Sequence, residues 1–279
     1  MVVPASDMRT RRIFRKLSGR RRPDESSELS TSGIHTAVLR AISTAGPNGP
    51  NGNHLDIGSG TGELLALVHK RYGVTSFACD YTARWMQLPG QELSIVDLNC
   101  DPLPFSDHQF SLVTCVETIE HLENFRALIR EVFRVLQPGG LAIFSTPNIL
   151  NVRSRLRFLS SGFYNLFGPV PLDRPEIHGA RGHISPINWF YLGHALASAG
   201  FQDLQVNVDK YQRRSLVAFA LLLLPMRLSN AVVYNRDKNK YKTIDEKNAW
   251  MVQRMNSRDL LLGRTLIVSA SKPNEVTGD

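Results

Sequence analysis

The chain has little cysteine, and it lacks an apolar run long enough to cross a lipid bilayer. Its 279 residues include three cysteines and no C-x-x-C pair, which argues against a zinc cluster or structural disulfides and indicates a reducing compartment. The longest apolar run, residues 216–225, has about half the length that a membrane-spanning helix requires. We interpret it as a buried helix or a lid. A membrane-facing or lipid-binding surface is the alternative, because Arg213, Arg214 and Arg227 flank the run.

Acidic residues are also missing from the most basic part of the chain. Residues 9–22 contain eight bases and no acid: Arg9, Arg11, Arg12, Arg15, Lys16, Arg20, Arg21 and Arg22. The net charge of the whole chain is +8, so the remainder is close to neutral. We expect residues 1–30 to form a disordered basic tail, since they have too little apolar surface to offset the entropy of ordering. No apolar segment follows the arginines, which argues against a signal peptide.

Strand-like and helix-like segments alternate from residue 53 onward. The predicted strands are residues 54–57, 74–79, 94–96, 110–116, 141–145, 201–208 and 265–270, and the predicted helices are 63–71, 125–136 and 187–199. This alternation predicts an α/β domain over residues 31–279. The expected architecture is a doubly wound, Rossmann-like sheet of seven mostly parallel strands with a late antiparallel strand. Residues 147–186 and 209–262 interrupt the pattern, and we interpret them as lid insertions.

A glycine-rich loop follows the first predicted strand. Asp56 precedes Gly58, Gly60 and Gly62 in the pattern D-x-G-x-G-x-G. Glycine has no Cβ, so such a loop brings bare backbone against a ligand. A dinucleotide-binding turn would need its third glycine at position 63, which is Glu63, and the spacing therefore disfavours a nicotinamide dehydrogenase.

Together with later motifs, this loop resembles the first motif of the class I S-adenosylmethionine (SAM) methyltransferases. Asp80 closes the second predicted strand, and Asp97 follows the third. The later motifs then come in the family's order: D-P-L-P-F-S-D at 101–107, E-T-I-E-H-L at 117–122, V-L-Q-P-G-G at 135–140 and S-T-P-N at 145–148. Ser111 stands where the family usually has an acid. The resemblance covers about residues 53–208.

The resemblance implies SAM as the cofactor. It places the carboxylate of Asp80 on the ribose hydroxyls, Asp97 and Leu98 at the adenine, and Asp56 as a residue that orders the loop. The implied cofactor-binding set is Asp56, Gly58, Ser59, Gly60, Gly62, Asp80, Tyr81, Asp97, Leu98 and Glu117.

The pattern E-x-x-E-H at the end of the fourth predicted strand supplies the candidate catalytic groups. Glu117, Glu120 and His121 share one face if a helical turn begins there. Two carboxylates and an imidazole suit Mg²⁺ or another divalent ion. With a later histidine, the pattern resembles the metal site of small-RNA 2′-O-methyltransferases and ubiquinone-pathway O-methyltransferases. The later histidine is His178 by the quinone-type spacing, or His183 if the loop is tighter.

Three roles stay open for these groups. The predicted metal set is Glu117, Glu120, His121 and His178, and the predicted catalytic set is His121, Glu117, His178 and His183. A metal-free base, either His121 or one of the later histidines, is the first alternative. Positioning of the acceptor without a base is the second.

The expected activity is O-methylation of a small-molecule, lipid-linked or sugar-containing acceptor, as in quinone-pathway and bacterial cell-surface glycan or lipid methyltransferases. Residues 148–162 are interpreted as an acceptor pocket or as an amphipathic helix on the sheet. We expect a cytoplasmic protein with peripheral contact to the inner face of the membrane, through the basic tail and residues 216–225.

Two other functions compete with this one. The first is an RNA 2′-O-methyltransferase-like enzyme with a metal site, anchored to phosphates by the tail. The near-neutral body argues against nucleic acid, and Thr146-Pro147-Asn148-Ile149 replaces the N-P-P motif of amino-directed DNA enzymes. The second is a SAM-binding scaffold that has lost catalysis.

Overall fold

The computed structural model describes residues 32–46, 49–170 and 182–274. The predicted basic tail and His178 lie outside these described residues. The strands are β1 (Asn53–Ile57), β2 (Thr75–Asp80), β3 (Leu93–Ile95), β4 (Phe110–Val116), β5 (Leu136–Pro147), β6 (Gln202–Val208) and β7 (Thr265–Ser271). The helices are α1 (Ser32–Ala45), α2 (Glu63–Tyr72), α3 (Phe125–Val135), α4 (Val152–Ser161), α5 (Trp189–Ala199), α6 (Leu216–Asn239), α7 (Ala249–Arg254) and α8 (Arg258–Leu262).

The seven strands form one sheet in the order β3-β2-β1-β4-β5-β7-β6. The pairs among β1 to β5 are parallel, whereas β7 runs antiparallel to both β5 and β6. This arrangement confirms the predicted doubly wound α/β sheet with a late antiparallel strand. The strand order reverses between β1 and β4, so the loops that follow these two strands diverge and leave a crevice at the carboxyl edge.

Apolar side chains of the helices cover both faces of the sheet. On one face, α3 and α5 pack on the strands, and Trp189 of α5 is fully buried there. On the other face, α1 and α2 pack through residues that include Val38, Ile42 and Val68. Helix α1 has no counterpart among the elements predicted from the sequence.

Both insertions are more ordered than the sequence predicted, because the first contains α4 and the second contains α6, α7 and α8. Helix α4 lies inside the first, with Asn151 as its N-cap and Gly162 as its C-cap. Arg155 is a structural residue here, because its guanidinium donates to the carbonyl oxygens of Leu150 and Met255 and to Asn256 Oδ1. Residues 148–162 therefore correspond to the helical alternative.

The sequence prediction that the apolar run at residues 216–225 is too short to cross a membrane was wrong. The helix continues through Pro225 to Asn239, and by length and composition the segment Arg213–Asn239 is long and apolar enough to cross a membrane. The expectation of a buried helix is also wrong, because none of the residues of α6 is buried in the domain.

Candidate functional site

The glycine loop between β1 and α2 is a close-fitting backbone turn. Gly58, Gly60 and Gly62 have φ angles of 70°, 51° and 80°, a region that favours glycine. A Cβ at Gly58 would lie 2.1 Å from the Oγ1 atom of Thr118, on the loop that follows β4. A Cβ at Gly62 would lie 2.8 Å from the sulfur of Met86. The loop therefore packs without side chains at these positions.

Asp80 holds the same loop from the end of β2. Its Oδ2 accepts from Gly60 N at 2.9 Å, and its Oδ1 accepts from Thr82 N at 3.3 Å. Burial raises the pKa of Asp80, while these backbone donors lower it. The sequence predicted Asp80 for this edge of the sheet, and the structure brings its carboxylate against the glycine loop.

The other predicted binding residues follow β2 and β3. Val96 N donates to the carbonyl oxygen of Asp80 at 3.0 Å, which brings Asp97 to the same edge as Asp80. Asp97 is exposed and caps the turn that follows it, because its Oδ1 accepts from Asn99 N at 3.0 Å. Of the other residues predicted to bind the cofactor, Leu98 and Ser59 are buried and Tyr81 is exposed.

A buried polar chain that sequence reasoning missed lies beneath the loop. Thr114 Oγ1 donates to Asp56 Oδ1 at 2.6 Å, so it accepts from His54 Nε2 at 2.8 Å. The other ring nitrogen of His54, at 3.1 Å from Ser76 Oγ, then accepts from that hydroxyl. Burial lowers the pKa of His54 to about 3 and raises the pKa of Asp56 to about 7. The alternating polar residues His54 and Asp56 on β1 were the available signal.

These two shifts predict opposite pH dependences in two variants. In the wild type between about pH 4.5 and 6.5, His54 holds a proton in the unfolded chain and Asp56 holds one in the folded chain, so their effects cancel. His54→Gln leaves Asp56 alone, and relative to the wild type the free energy of unfolding should fall as pH rises, by up to about 1.4 kcal/mol per pH unit. Urea unfolding across this range measures the slope.

Asp56→Asn is the reciprocal variant. It leaves His54, which binds a proton in the unfolded chain but stays neutral when buried, so relative to the wild type the free energy of unfolding should rise with pH over the same range. Equal slopes in the two variants would contradict these protonation states.

Glu117 adopts a strained backbone conformation at the end of β4. Its φ is 51°, in the left-handed region that non-glycine residues rarely occupy. Ser145 fixes it, because Glu117 N donates to Ser145 Oγ at 3.1 Å and that hydroxyl donates to Glu117 Oε1 at 2.9 Å. Burial raises the pKa of Glu117 to about 7, against the hydrogen bond from Ser145.

This conformation corrects the expected shared face of Glu117, Glu120 and His121. Only a short 3₁₀ turn, Ile119–His121, follows the strand, and the left-handed Glu117 precedes it. A continuous helical turn from residue 117 is therefore absent, and the side chain of Glu117 points to Ser145 instead.

The structure gathers Glu120, His121 and His183 at the carboxyl edge of β4. One potential ligand atom from each lies within 4.8 Å of the others. Glu120 is fully buried, and within the described residues neither of its carboxylate oxygens has a hydrogen-bond partner. Burial raises the pKa of Glu120 well above its usual range, and the charge of Glu117 raises it further. Of the two later histidines predicted from the sequence, His183 joins this cluster.

Backbone contacts hold the two histidines together. Glu120 O accepts from Ile184 N and Ser185 N, both at 3.0 Å. His121 Nδ1 lies 3.1 Å from Gly182 O, which only accepts, so Nδ1 carries the proton and Nε2 keeps its lone pair. The ring centroids of His121 and His183 are 4.8 Å apart, and the ring of Phe167 contacts His183.

The environment keeps His121 neutral. Burial and, to a smaller extent, the neighbouring His183 lower its pKa to about 4, against the hydrogen bond to Gly182. A neutral imidazole with an available Nε2 suits either proton acceptance or metal coordination.

Sequence comparison connects this site to known proteins. A family model described as a methyltransferase domain matches residues 31–206. The chain is 30% identical over 130 residues to the ubiquinone/menaquinone biosynthesis C-methyltransferase UbiE of Stenotrophomonas maltophilia. This alignment covers 43% of this chain and 51% of that protein. It is also 30% identical over 153 residues to UbiE of Xylella fastidiosa, covering 50% and 60%. The chain thus spans about half the length of the curated relatives it matches.

Structural comparison gives the same fold. A SAM-dependent methyltransferase from Archaeoglobus fulgidus has a TM-score of 0.52 and 17% identity, covering 86% of this chain and 93% of that one. Phosphoethanolamine N-methyltransferase 2 of Haemonchus contortus, solved with SAM, has a TM-score of 0.50 and 18% identity, covering 87% and 53%.

Proposed function

Because this chain belongs to the SAM-dependent methyltransferase family, we propose that it methylates an acidic hydroxyl group on a small-molecule or lipid-linked acceptor. The observation that carries the proposal is the neutral His121, whose Nε2 keeps its lone pair beside the loop that packs on Gly58. A hydroxyl becomes a methyl acceptor when a base removes its proton.

The residues at the carboxyl edge fit the cofactor that the family uses. The loop from Gly58 to Gly62 presents bare backbone, and the carboxylate of Asp80 lies at its edge, where it would accept from the ribose hydroxyls. Asp97 and Leu98 would hold the adenine end, and Tyr81 offers an aromatic surface that is 49% exposed. When bound, SAM supplies a methyl group on a positively charged sulfur, with a neutral thioether as the leaving group.

The low pKa of His121 favours an acidic hydroxyl. Its value of about 4 lies some six units below that of a phenol, whose pKa is about 10. An aliphatic hydroxyl has a pKa similar to that of water, about 16, so its pKa differs from that of His121 by a much larger amount. We therefore propose a phenolic or quinol acceptor rather than a sugar. His121 would accept the hydroxyl proton at Nε2, and the bound cofactor would supply the methyl group to the oxygen.

Methylation of carbon is a second candidate, favoured by the C-methyltransferase relatives. Removal of a phenolic proton also makes the adjacent ring carbon nucleophilic, so the same base serves both outcomes. To regain aromaticity, the methylated ring would then lose the proton at that carbon to water, and protonated His121 would return its proton to the ring oxygen, so that one proton is released overall. The orientation of the acceptor against the methyl group decides between the two.

The cluster also has the ligands for a divalent metal. Glu120, His121 and His183 supply one oxygen and two nitrogens, and the unpartnered oxygens of buried Glu120 fit a positive charge. The bound ion would lower the pKa of a coordinated acceptor hydroxyl. Metal binding would displace the proton that the raised pKa of Glu120 retains, so the affinity should rise with pH.

Calorimetric titration with S-adenosylhomocysteine, before and after EDTA treatment and again with Mg²⁺, tests the cofactor and the metal together. We expect micromolar binding without metal, since the metal cluster is separate from Gly58 and Asp80. If Mg²⁺ changes the heat of binding, that change should be lost in Glu120→Gln, whereas the affinity for S-adenosylhomocysteine without metal should be retained. Absence of binding under every condition would contradict the proposed function.

Product analysis tests the acceptor atom. Incubation with SAM carrying a ¹³C methyl group and a hydroquinone acceptor should give a methoxy resonance for O-methylation, or an aryl-methyl resonance for C-methylation. Cofactor binding without turnover on phenolic, quinol or sugar acceptors would instead support a SAM-binding scaffold.

A further inference from the structure

Helix α6 presents one continuous apolar stripe to solvent. The stripe consists of Val217, Leu221, Leu224, Leu228 and Val232, with exposed fractions of 73%, 74%, 66%, 62% and 70%. Their spacing of three or four residues places them on a single face of the helix. Five exposed aliphatic side chains in line are more than the scattered apolar residues that a soluble surface ordinarily carries.

The opposite face of α6 lies against the domain. Asn256 Nδ2 donates to Asn230 Oδ1 at 2.9 Å, and Gln253 Nε2 donates to the hydroxyl of Tyr234 at 3.3 Å. The stripe is therefore turned away from the body, and these two contacts attach the second half of the helix to the domain.

The stripe lies in a strongly basic segment. Residues 210–242 contain eight bases and a single acid, Asp237; the bases are Lys210, Arg213, Arg214, Arg227, Arg236, Lys238, Lys240 and Lys242. Most of them flank the apolar stretch at its two ends. The body was expected to be evenly neutral, but this segment concentrates positive charge around an apolar surface.

Helix α4 and the loop after it carry further exposed apolar residues. The helix packs beside α6, and Leu159 near its end is 83% exposed. Leu166, which is 56% exposed, follows in the next loop. Its neighbour Phe167 is buried and contacts the ring of His183.

We propose that α6 lies in the plane of an anionic phospholipid bilayer, with the stripe among the acyl chains and the basic residues at the headgroups. An apolar face bordered by lysine and arginine has the charge complementarity that such a surface requires. The exposed residues Leu159 and Leu166 then enter the same interface.

The anchoring of α6 argues against a membrane crossing, although its length would permit one. Gln212 N, before the helix, donates to Leu262 O at 2.8 Å. Beyond the helix, Met251 is buried and its carbonyl accepts from Trp189 Nε1 at 3.0 Å. Both ends are thus attached to the same domain, and a crossing would separate them by the thickness of the bilayer.

In this orientation, an apolar acceptor reaches the histidine pair from the bilayer, past Leu166 and Phe167. This entry route rests on the proposed function, whereas the docking of α6 does not.

Vesicle flotation of the full chain tests the docking. We expect binding to phosphatidylcholine vesicles containing about one-third phosphatidylglycerol, weaker binding to phosphatidylcholine alone, and release by carbonate extraction. Leu221→Glu should reduce vesicle binding by about tenfold or more. The double variant Leu221→Gln with Leu224→Gln should also reduce vesicle binding, although it adds no charge. Tyr191→Glu, at a residue of α5 that is 54% exposed, is the matched control and should bind like the wild type.

The other outcomes would overturn the proposal. Carbonate-resistant protein would indicate a spanning helix. A dimer in sedimentation that Leu221→Glu dissociates, without vesicle binding, would show that a second copy covers the stripe. Equal losses in Leu221→Glu and Tyr191→Glu would indicate a general charge effect. Calorimetry with S-adenosylhomocysteine should be unchanged in Leu221→Glu, so failure to dock is distinguishable from failure of the proposed function.

Discussion

Gly58→Ala is expected to weaken S-adenosylhomocysteine binding by about 100-fold or more. The new Cβ would lie 2.1 Å from Thr118 Oγ1, so the glycine loop or the turn after β4 must move. Misplacing groups in an active site by about an ångström costs on the order of 100-fold in rate, and we expect a comparable loss of affinity when the loop moves away from the cofactor. The free energy of unfolding should also fall by about 2–4 kcal/mol, from the left-handed backbone and the overlap together. Calorimetry and urea unfolding measure the two effects.

Gly73→Ala is the matched control for this substitution. Gly73 has a φ of 69°, close to the 70° of Gly58, but a Cβ there would meet no atom within 4 Å. It should lose about 1–2 kcal/mol of stability and keep its affinity.

Combining Gly58→Ala with Thr118→Ala removes the two nearest clashing atoms and should restore part of the affinity. If Gly58→Ala bound the cofactor product like Gly73→Ala, the loop would not be the cofactor site.

His121→Asn is expected to lower kcat by about 10²–10³ while leaving S-adenosylhomocysteine affinity within about twofold. The asparagine amide can still donate to Gly182 O, so the substitution removes Nε2 while keeping the backbone contact. The loss should appear in kcat because the group acts on the acceptor proton. Steady-state kinetics with saturating SAM measures the change.

The pH profile separates a base from a structural residue. Because His121 has a pKa of about 4, its basic form is present at neutral pH, and wild-type activity should decline only as pH falls toward that value. This limb should vanish in His121→Asn. His194→Asn, at an exposed histidine of α5, should have wild-type kinetics. Equal kcat values in His121→Asn and the wild type would contradict the assigned role.

The sheet could be predicted from the sequence because its strands are short apolar segments that end in acids or glycines. Asp56 and Asp80 mark the ends of β1 and β2, and β4 matches its predicted bounds, Phe110–Val116. β5 starts before its predicted first residue because residues from Leu136 pair with β4 across a register shift. Proline ordinarily interrupts a helix, so Pro225 concealed the true length of α6.

The cluster at the end of β4 was predicted only in part, for a physical reason. Motif spacing identified Glu117, Glu120 and His121, but it assumed regular helical geometry. The left-handed φ of Glu117 breaks that geometry. The place of His183 depends on hydrogen bonds between Glu120 and the later loop, which join residues more than 60 positions apart. Periodicity carries no signal for such a contact.

The connection from β6 to β7 has an evolutionary consequence. The two strands are antiparallel neighbours, with Val208 paired to Leu266, so the long segment between them leaves and rejoins the sheet at one point. Such a connection can be lengthened or exchanged without altering strand order, and the entropy of closing it grows only slowly with length. The family match ends at residue 206, just before this segment. Residues 209–264 therefore form an insertion whose length and sequence can change while the sheet keeps its strand order and the part of the chain that matches the family model is left intact.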